Sequence, residues 1–300
     1  MLLSTLGALI VSSLAGLSVA QDDQLSTVTN QSTPIASLYG DSFKNAGGKV
    51  LTEQVNVYVV FYGNWTSLQD EQTTFMNFID GVSSTQWFST LRQYTDSDGH
   101  GVTGPLNVAA AVNDAGSRGL TLSDANVHKQ IILDAVNSGY LSPTNQIDPN
   151  GIYVLFAGND VSDSEFCTRN CGYNSHSDQF QYMFIGYPGT CTDYCIPPMI
   201  HDYSPNESPA IDAAVTIFSH EVQDLLTDPR NDAWMIQQNG TTIELGDFCA
   251  GSDVPDGEWY GTVNKIEEKN ATYNLEVGNQ KFLVQTIFDL ENKKCVLSKS

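Results

Sequence analysis

The sequence predicts an α/β fold: a mixed, mostly parallel sheet flanked by helices, with a disulfide-pinned loop region and short C-terminal strands. Three observations predict it. Strongly apolar, β-branched runs at 55–62, 152–157 and 182–186 are too hydrophobic for one-sided strands and read as strands buried on both faces. Segments with helical spacing alternate with them, as crossover connections require. Six cysteines, all beyond residue 166, cluster outside those runs.

In chain order, Leu2 to Ala20 is apolar and uncharged and ends in Ser18-Val19-Ala20, small residues at the positions a signal peptidase reads. Residues 1–20 therefore read as a cleavable secretory signal. A membrane anchor is the alternative, but no Lys or Arg precedes the apolar run to hold one in place. Residues 21–45 are rich in Ser, Thr, Gln and Asp and read as a flexible lead-in. Val55–Tyr62 is the first strand, ended by Gly63-Asn64. Ser67-x-x-Asp70 reads as a helix start, with Phe75, Phe78 and Ile79 on one apolar face. A second helix is expected over Thr85–Tyr94. A third is capped by Ser123 or Asp124 and packs through Val127, Ile131, Ile132 and Val136.

Ile152–Ala157 is a further buried strand, and Tyr182–Gly186 another. Between and after them, Asp163 to Pro209 carries four cysteines and five prolines and reads as a cysteine-pinned loop region. Ala210–Leu226, stopped by Asp228-Pro229, has the clearest helical spacing in the chain. Short strands are expected at 241–245, 258–263, 272–277 and 281–288.

Charge excludes some partners. Thirteen basic against 35 acidic residues leave a net charge of −22, a field that repels nucleic acid and anionic lipid. No later segment is apolar enough to cross a membrane. An even set of six cysteines in an exported chain predicts three disulfides rather than zinc ligation, with 15 possible pairings. Asn30, Asn64, Asn239 and Asn270 head glycosylation sequons, whereas Asn206-Glu-Ser is followed by Pro209.

The candidate chemistry lies in His220-Glu221-x-x-Asp224, within the last long helix. Residues i and i+4 share a helix face, so His220 and Asp224 can present an imidazole and a carboxylate to one ion. Zinc peptidases use this geometry in His-Glu-x-x-His, with the glutamate as general base toward a water at the ion. Here Asp replaces the second histidine. Asp247, in Glu244-Leu-Gly-Asp247-Phe-Cys249, is the expected third ligand, with His176 the next choice; Asp228 and His201 are further options. The bland reading is a packing histidine in an acid-rich chain.

Asp96-Ser-Asp98-Gly-His resembles the start of a calcium loop, but Asn107 stands where a bidentate Glu belongs, so a solvated turn is expected. No Gly-x-Ser-x-Gly elbow occurs, and every cysteine has a prospective partner. Two-carboxylate glycosidase chemistry stays open, because separations are unreadable in a sequence. Of the tryptophans, which could stack on sugars, Trp65 lies inside a sequon and is expected near the surface; the others read mainly as core.

Gly47-Gly48-Lys49-Val50-Leu51, Tyr58 to Gly63, Phe166-Cys167 with Cys171-Gly172, Cys191 with Cys195 and Pro197, and Phe288-Asp289 before Cys295 resemble, in order, the phosphate-induced protein 1 family. Its best-known plant members are the EXORDIUM proteins. The resemblance spans residues 45–298 and implies a single family domain over 46–300. It also implies a protein of the extracellular space or cell wall with a growth-related role and no assigned reaction. Its partners would be wall or extracellular proteins or polysaccharides. The His-Glu pair departs from the plant pattern; with Thr227-Asp-Pro229, Trp234 and Glu244-x-Gly-Asp it is similar to stretches in secreted microbial members. Two functions follow as expectations: a non-catalytic wall-associated glycoprotein, or a secreted metal-dependent, peptidase-like hydrolase with Glu221 as base and zinc as the ion.

Overall fold

The computed structural model describes residues 35–238, 240–250 and 256–299. The signal-peptide expectation, most of the lead-in and the sequons at Asn30 and Asn239 lie outside them.

Val55–Tyr62 (β1) runs as an apolar strand inside a five-stranded sheet, next to its edge. Its neighbours are Leu106–Asp114 (β2) on one side and Ile152–Ala157 (β4) on the other, both parallel to it. Gln181–Ile185 (β7) continues the parallel sheet beside β4, and Gly172–His176 (β6) closes it antiparallel, giving the order β2-β1-β4-β7-β6. Two short strands, Thr121–Leu122 (β3) and Ser162–Asp163 (β5), pair apart from this sheet.

Helices cover both faces, as both-face-buried strands demand. Gln69–Val82 (α2), Gln86–Leu91 (α3) and Pro209–Thr227 (α6) pack on one face with Val57, Val59, Phe61 and Phe156. Ala125–Asn137 (α4) packs on the other with Val60, Tyr62 and Leu155. Asp124 caps α4, accepting from Asn126 and Val127 N–H at 2.8 and 3.2 Å. Thr85 caps α3 in the same way.

Several local expectations are corrected. The helix expected to start at Ser67 begins at Gln69, and its N-cap, Leu68, makes no side-chain cap bond. Strand β2 escapes sequence reading because three alanines and two asparagines line a sheet edge, where alternate residues face solvent. Residues 258–263 form no strand: Asp256–Trp259 (α7) is a helical turn, and the strand lies further on at Asn264–Ile266 (β10), paired with Ala271–Tyr273 (β11). The expected strand at 272–277 breaks at Asn274, whose amide donates to the carbonyls of Tyr260 and Val284. Its second half, Leu275–Val277 (β12), pairs with Gln280–Phe282 (β13). Ile287–Asp289 (β14) pairs with Lys294–Val296 (β15), and Ile236–Gln238 (β8) with Thr241–Ile243 (β9). Trp65 is not near the surface but 3% exposed, its ring against Phe61 and Phe156. The ordered unit starts ahead of residue 46: Ile35–Tyr39 (α1) is helical, and Phe43 is buried against Phe248.

The cysteines pair as Cys167–Cys191, Cys171–Cys195 and Cys249–Cys295. The two Cys-x-x-x-Cys elements are thus laced to each other, holding β6 and Thr192–Cys195 (α5) together. The third bond ties the loop after β9 to β15.

Candidate metal centre

Helix α6 starts where Ser208 caps it ahead of Pro209, both favourable for a helix N-terminus, and ends at Asp228-Pro229. One flank lies on the sheet through Val215, Phe218, Val222 and Leu225. The other is roofed by the C-terminal segment, so even its polar residues Ser219, Glu221, Gln223, Asp224 and Thr227 are buried. A helix carrying that many polar groups into the interior must have partners for them.

They are supplied from two sides. From the sheet edge, the Asn174 amide on β6 donates toward Glu221, Asp224 and Glu244 at 3.3, 3.2 and 3.4 Å. From the roof, the turn Gly246–Cys249 after β9 brings in Glu244, Gly246 and Asp247. Gly246 N–H donates to Asp224 Oδ1 at 2.5 Å, and Glu244 N–H to Asp247 Oδ2 at 3.0 Å. A Cβ on Gly246 would stand 3.0 Å from both Asp224 carboxylate oxygens and from His220 Cε1, so any larger residue there would push these groups apart by a few tenths of an ångström.

The result is a cavity of about 10 Å³ lined by Gly172, Tyr173, Asn174, His220, Glu221, Asp224, Glu244 and Asp247. That is space for one water or one ion. His220 Nε2 lies 3.6 Å from Asp224 Oδ2 and 3.8 Å from Asp247 Oδ1, too far for hydrogen bonds. Two ligands about 2.1 Å from one tetrahedral ion stand about 3.4 Å apart, close to these separations. Ligand atoms of His220, Glu221 and Asp224 all lie within 4.8 Å of one another.

Electrostatics press the same way. Four carboxylates face one imidazole, and among the described residues no Lys or Arg pairs with any of them. Burial pushes the Glu221 carboxyl up to about 7, against the pull of His220 and Asn174. Burial and neighbouring carboxylates hold Asp224 and Glu244 well above the usual carboxylate range, with Asp228 adding to the repulsion; burial also raises Asp247. Burial opposes the charged form of His220, but facing Glu221 and Asp247 outweigh it and raise its pKa. Glu244, 1% exposed, has Oε1 buried with no hydrogen-bond partner. Such a group is costly unless something cationic satisfies it. The donor set, the His220–Asp224 and His220–Asp247 separations and the orphaned Glu244 oxygen fit a divalent cation.

His220, Glu221, Asp224 and Asp247 line one cavity. His176 does not: it lies two residues along β6 from Asn174, outside the cavity lining, with Nδ1 3.4 Å from its neighbour Ser177 O. His201 is exposed beside Asp202. Asp228 lines no part of the cavity; it caps the turn after α6, accepting from Asp232 and Ala233 N–H. Glu244 and Asn174 were missed as contributors. Glu244 sits in the motif that carries Asp247, three residues apart around a tight turn, so its signal was present. Asn174 had none.

The family model described as "Phosphate-induced protein 1 conserved region" matches residues 43–298. The chain belongs to the phosphate-induced protein 1 family. Protein EXORDIUM-like 3 of Arabidopsis thaliana is 27% identical over 267 residues, covering 80% of this chain and 78% of that protein. Protein EXORDIUM-like 5 of the same plant is 26% identical over 280 residues, covering 83% and 75%. No solved structure matches. Among the described residues no helix is long and apolar enough to cross a membrane.

Proposed function

We propose that this family member works outside the cell, in the extracellular space or wall, as a glycoprotein whose α6 centre binds one divalent cation and hydrolyses an amide-like bond. The observation that carries the chemistry is the convergence of His220, Asp224, Glu244 and Asp247 on one ion-sized cavity with Glu221 at its wall. Three disulfides and exposed sequons at Asn64 and Asn270 support the location.

His220, Asp224 and Asp247 would hold the cation, with Glu244 as a fourth ligand through its unpartnered oxygen. A bound divalent ion polarises a carbonyl and lowers the pKa of water. Glu221, whose carboxyl pKa is pushed up to about 7, would take a proton from water and return it to a leaving amine. Asn174 orients the carboxylates. Zinc is the expected ion from the helix motif, although three carboxylates and one imidazole also suit manganese.

The test is metal analysis of secreted, purified protein followed by Glu221→Gln. The proposal expects a stoichiometric ion in both proteins and loss of peptide hydrolysis only in the variant. No ion in the wild type, with stability indifferent to a chelator, would sink it. A second reading, a non-catalytic wall-associated role with a structural ion, is favoured by the cavity's room for one ion alone. It expects Glu221→Gln to leave the biological effect intact.

A further inference from the structure

Gln285 lies in the irregular run between β13 and β14, 1% exposed, with every polar group engaged. Its N–H donates to Ser219 Oγ at 3.2 Å and its carbonyl accepts from Trp87 Nε1 at 2.6 Å. Its side-chain amide spans the metal centre. Nε2 is 2.5 Å from Gly246 O, and Oε1 is 3.0 Å from His220 Nδ1.

The chemistry of those two contacts fixes a proton. Gly246 O is a carbonyl and can only accept, so the NH₂ end of the amide must face it. The end facing His220 is then the oxygen, which also only accepts. His220 Nδ1 must therefore carry hydrogen, and in the neutral ring Nε2 is the bare nitrogen. Nε2 is the atom turned toward Asp224 and Asp247.

We propose that Gln285 is a positioning residue that locks His220 as the Nδ1–H tautomer, so that Nε2 presents its lone pair to the cation. This rests on the metal-binding reading. One further bond extends the circuit: Gly246 N–H donates to Asp224 Oδ1, and Asp224 lies one helical turn from His220. Gln285 thus joins α6 to the loop that carries Glu244 and Asp247. Partners of this kind on a metal-binding histidine are typically worth 10–100-fold in metal affinity.

Nitrogen NMR of the metal-free, full-length protein, at a pH where the imidazole is neutral, reads the tautomer directly. The expected result is Nδ1–H for His220 in the wild type and loss of that preference in Gln285→Met. Zinc chloride titration should then show affinity falling 10–100-fold in this variant. Gln285→Glu keeps an acceptor for Nδ1 but cannot donate to Gly246, so it should retain the Nδ1–H tautomer. It keeps the test alive if Gln285→Met does not fold. An Nε2–H ring in the wild type, or an unchanged tautomer in a folded Gln285→Met, overturns the proposal. Failure of the wild type to bind zinc would instead overturn the metal reading and leave the tautomer result standing.

Discussion

Two acidic clusters in this protein look alike in the sequence and differ in what neutralises them. Asp96 and Asp98 carry their own cation: Lys49 Nζ is 3.1 Å from Asp96 Oδ2 and also bonded to Asp98. Asp96 also accepts N–H bonds from Asp98 and His100, both at 2.9 Å. Partial burial works against its charged form, but these bonds and Lys49 prevail and hold its pKa at about 2. The α6 centre has more carboxylates and deeper burial, among the described residues no lysine or arginine pairs with it, and its carboxyl pKa values are raised. An acidic cluster is a candidate for a metal when its own chain fails to balance it. The first cluster is closed by that measure, and the second is open.

Breaking the open cluster should give the largest effects. Asp224→Ala is expected to lower zinc affinity by at least a hundredfold in a calorimetric titration, whereas Asp96→Ala should leave it unchanged. Glu221→Gln should cost about 10²–10⁴-fold in peptide hydrolysis with metal content preserved, a split that total metal analysis beside an activity assay would reveal.

Next in size is stability. Zinc at a hundred times its dissociation constant should stabilise the fold by about 2.7 kcal/mol, removable by chelator. The pH dependence separates the clusters further. Glu221 has a folded pKa raised from 4.5 to about 7, so its contribution is present at acid pH and lost as pH rises through about 7. Metal-free protein should melt at lower temperature at pH 8 than at pH 5, and saturating zinc should reverse that order. Asp96 has the opposite sign, because its depressed pKa gives stability that is lost only as pH falls toward about 2. The smallest effect is a gain. Lys49→Ala should open the first cluster to weak calcium binding, on the order of millimolar, detectable by calcium titration.

Much of this was legible in the sequence because the signals were local. The i, i+4 spacing of His220 and Asp224, the apolar runs of β1, β4 and β7, and the Asp124 cap each depend on residues near one another in the chain. Partners that meet only through the fold were hidden. Asn174 reaches α6 from a strand inside what read as a loop region, and Gln285 arrives from a break in what read as one C-terminal strand. His176 had the right chemistry two residues away from the position that β6 turns toward the helix. The closure of the Asp96 cluster depended on Lys49, a lysine 47 positions earlier in the chain.

The central claim is that Glu244 and its neighbours are buried together because an ion holds them. Zinc titration of chelator-stripped protein, comparing wild type with Glu244→Gln, tests it most directly. The account predicts one ion per chain in the wild type and markedly weaker binding in the variant, with the variant's metal-free fold more stable because a carboxyl disfavoured by burial and by its acidic neighbours has gone. No stoichiometric binding by the wild type, or equal binding by both, would contradict it.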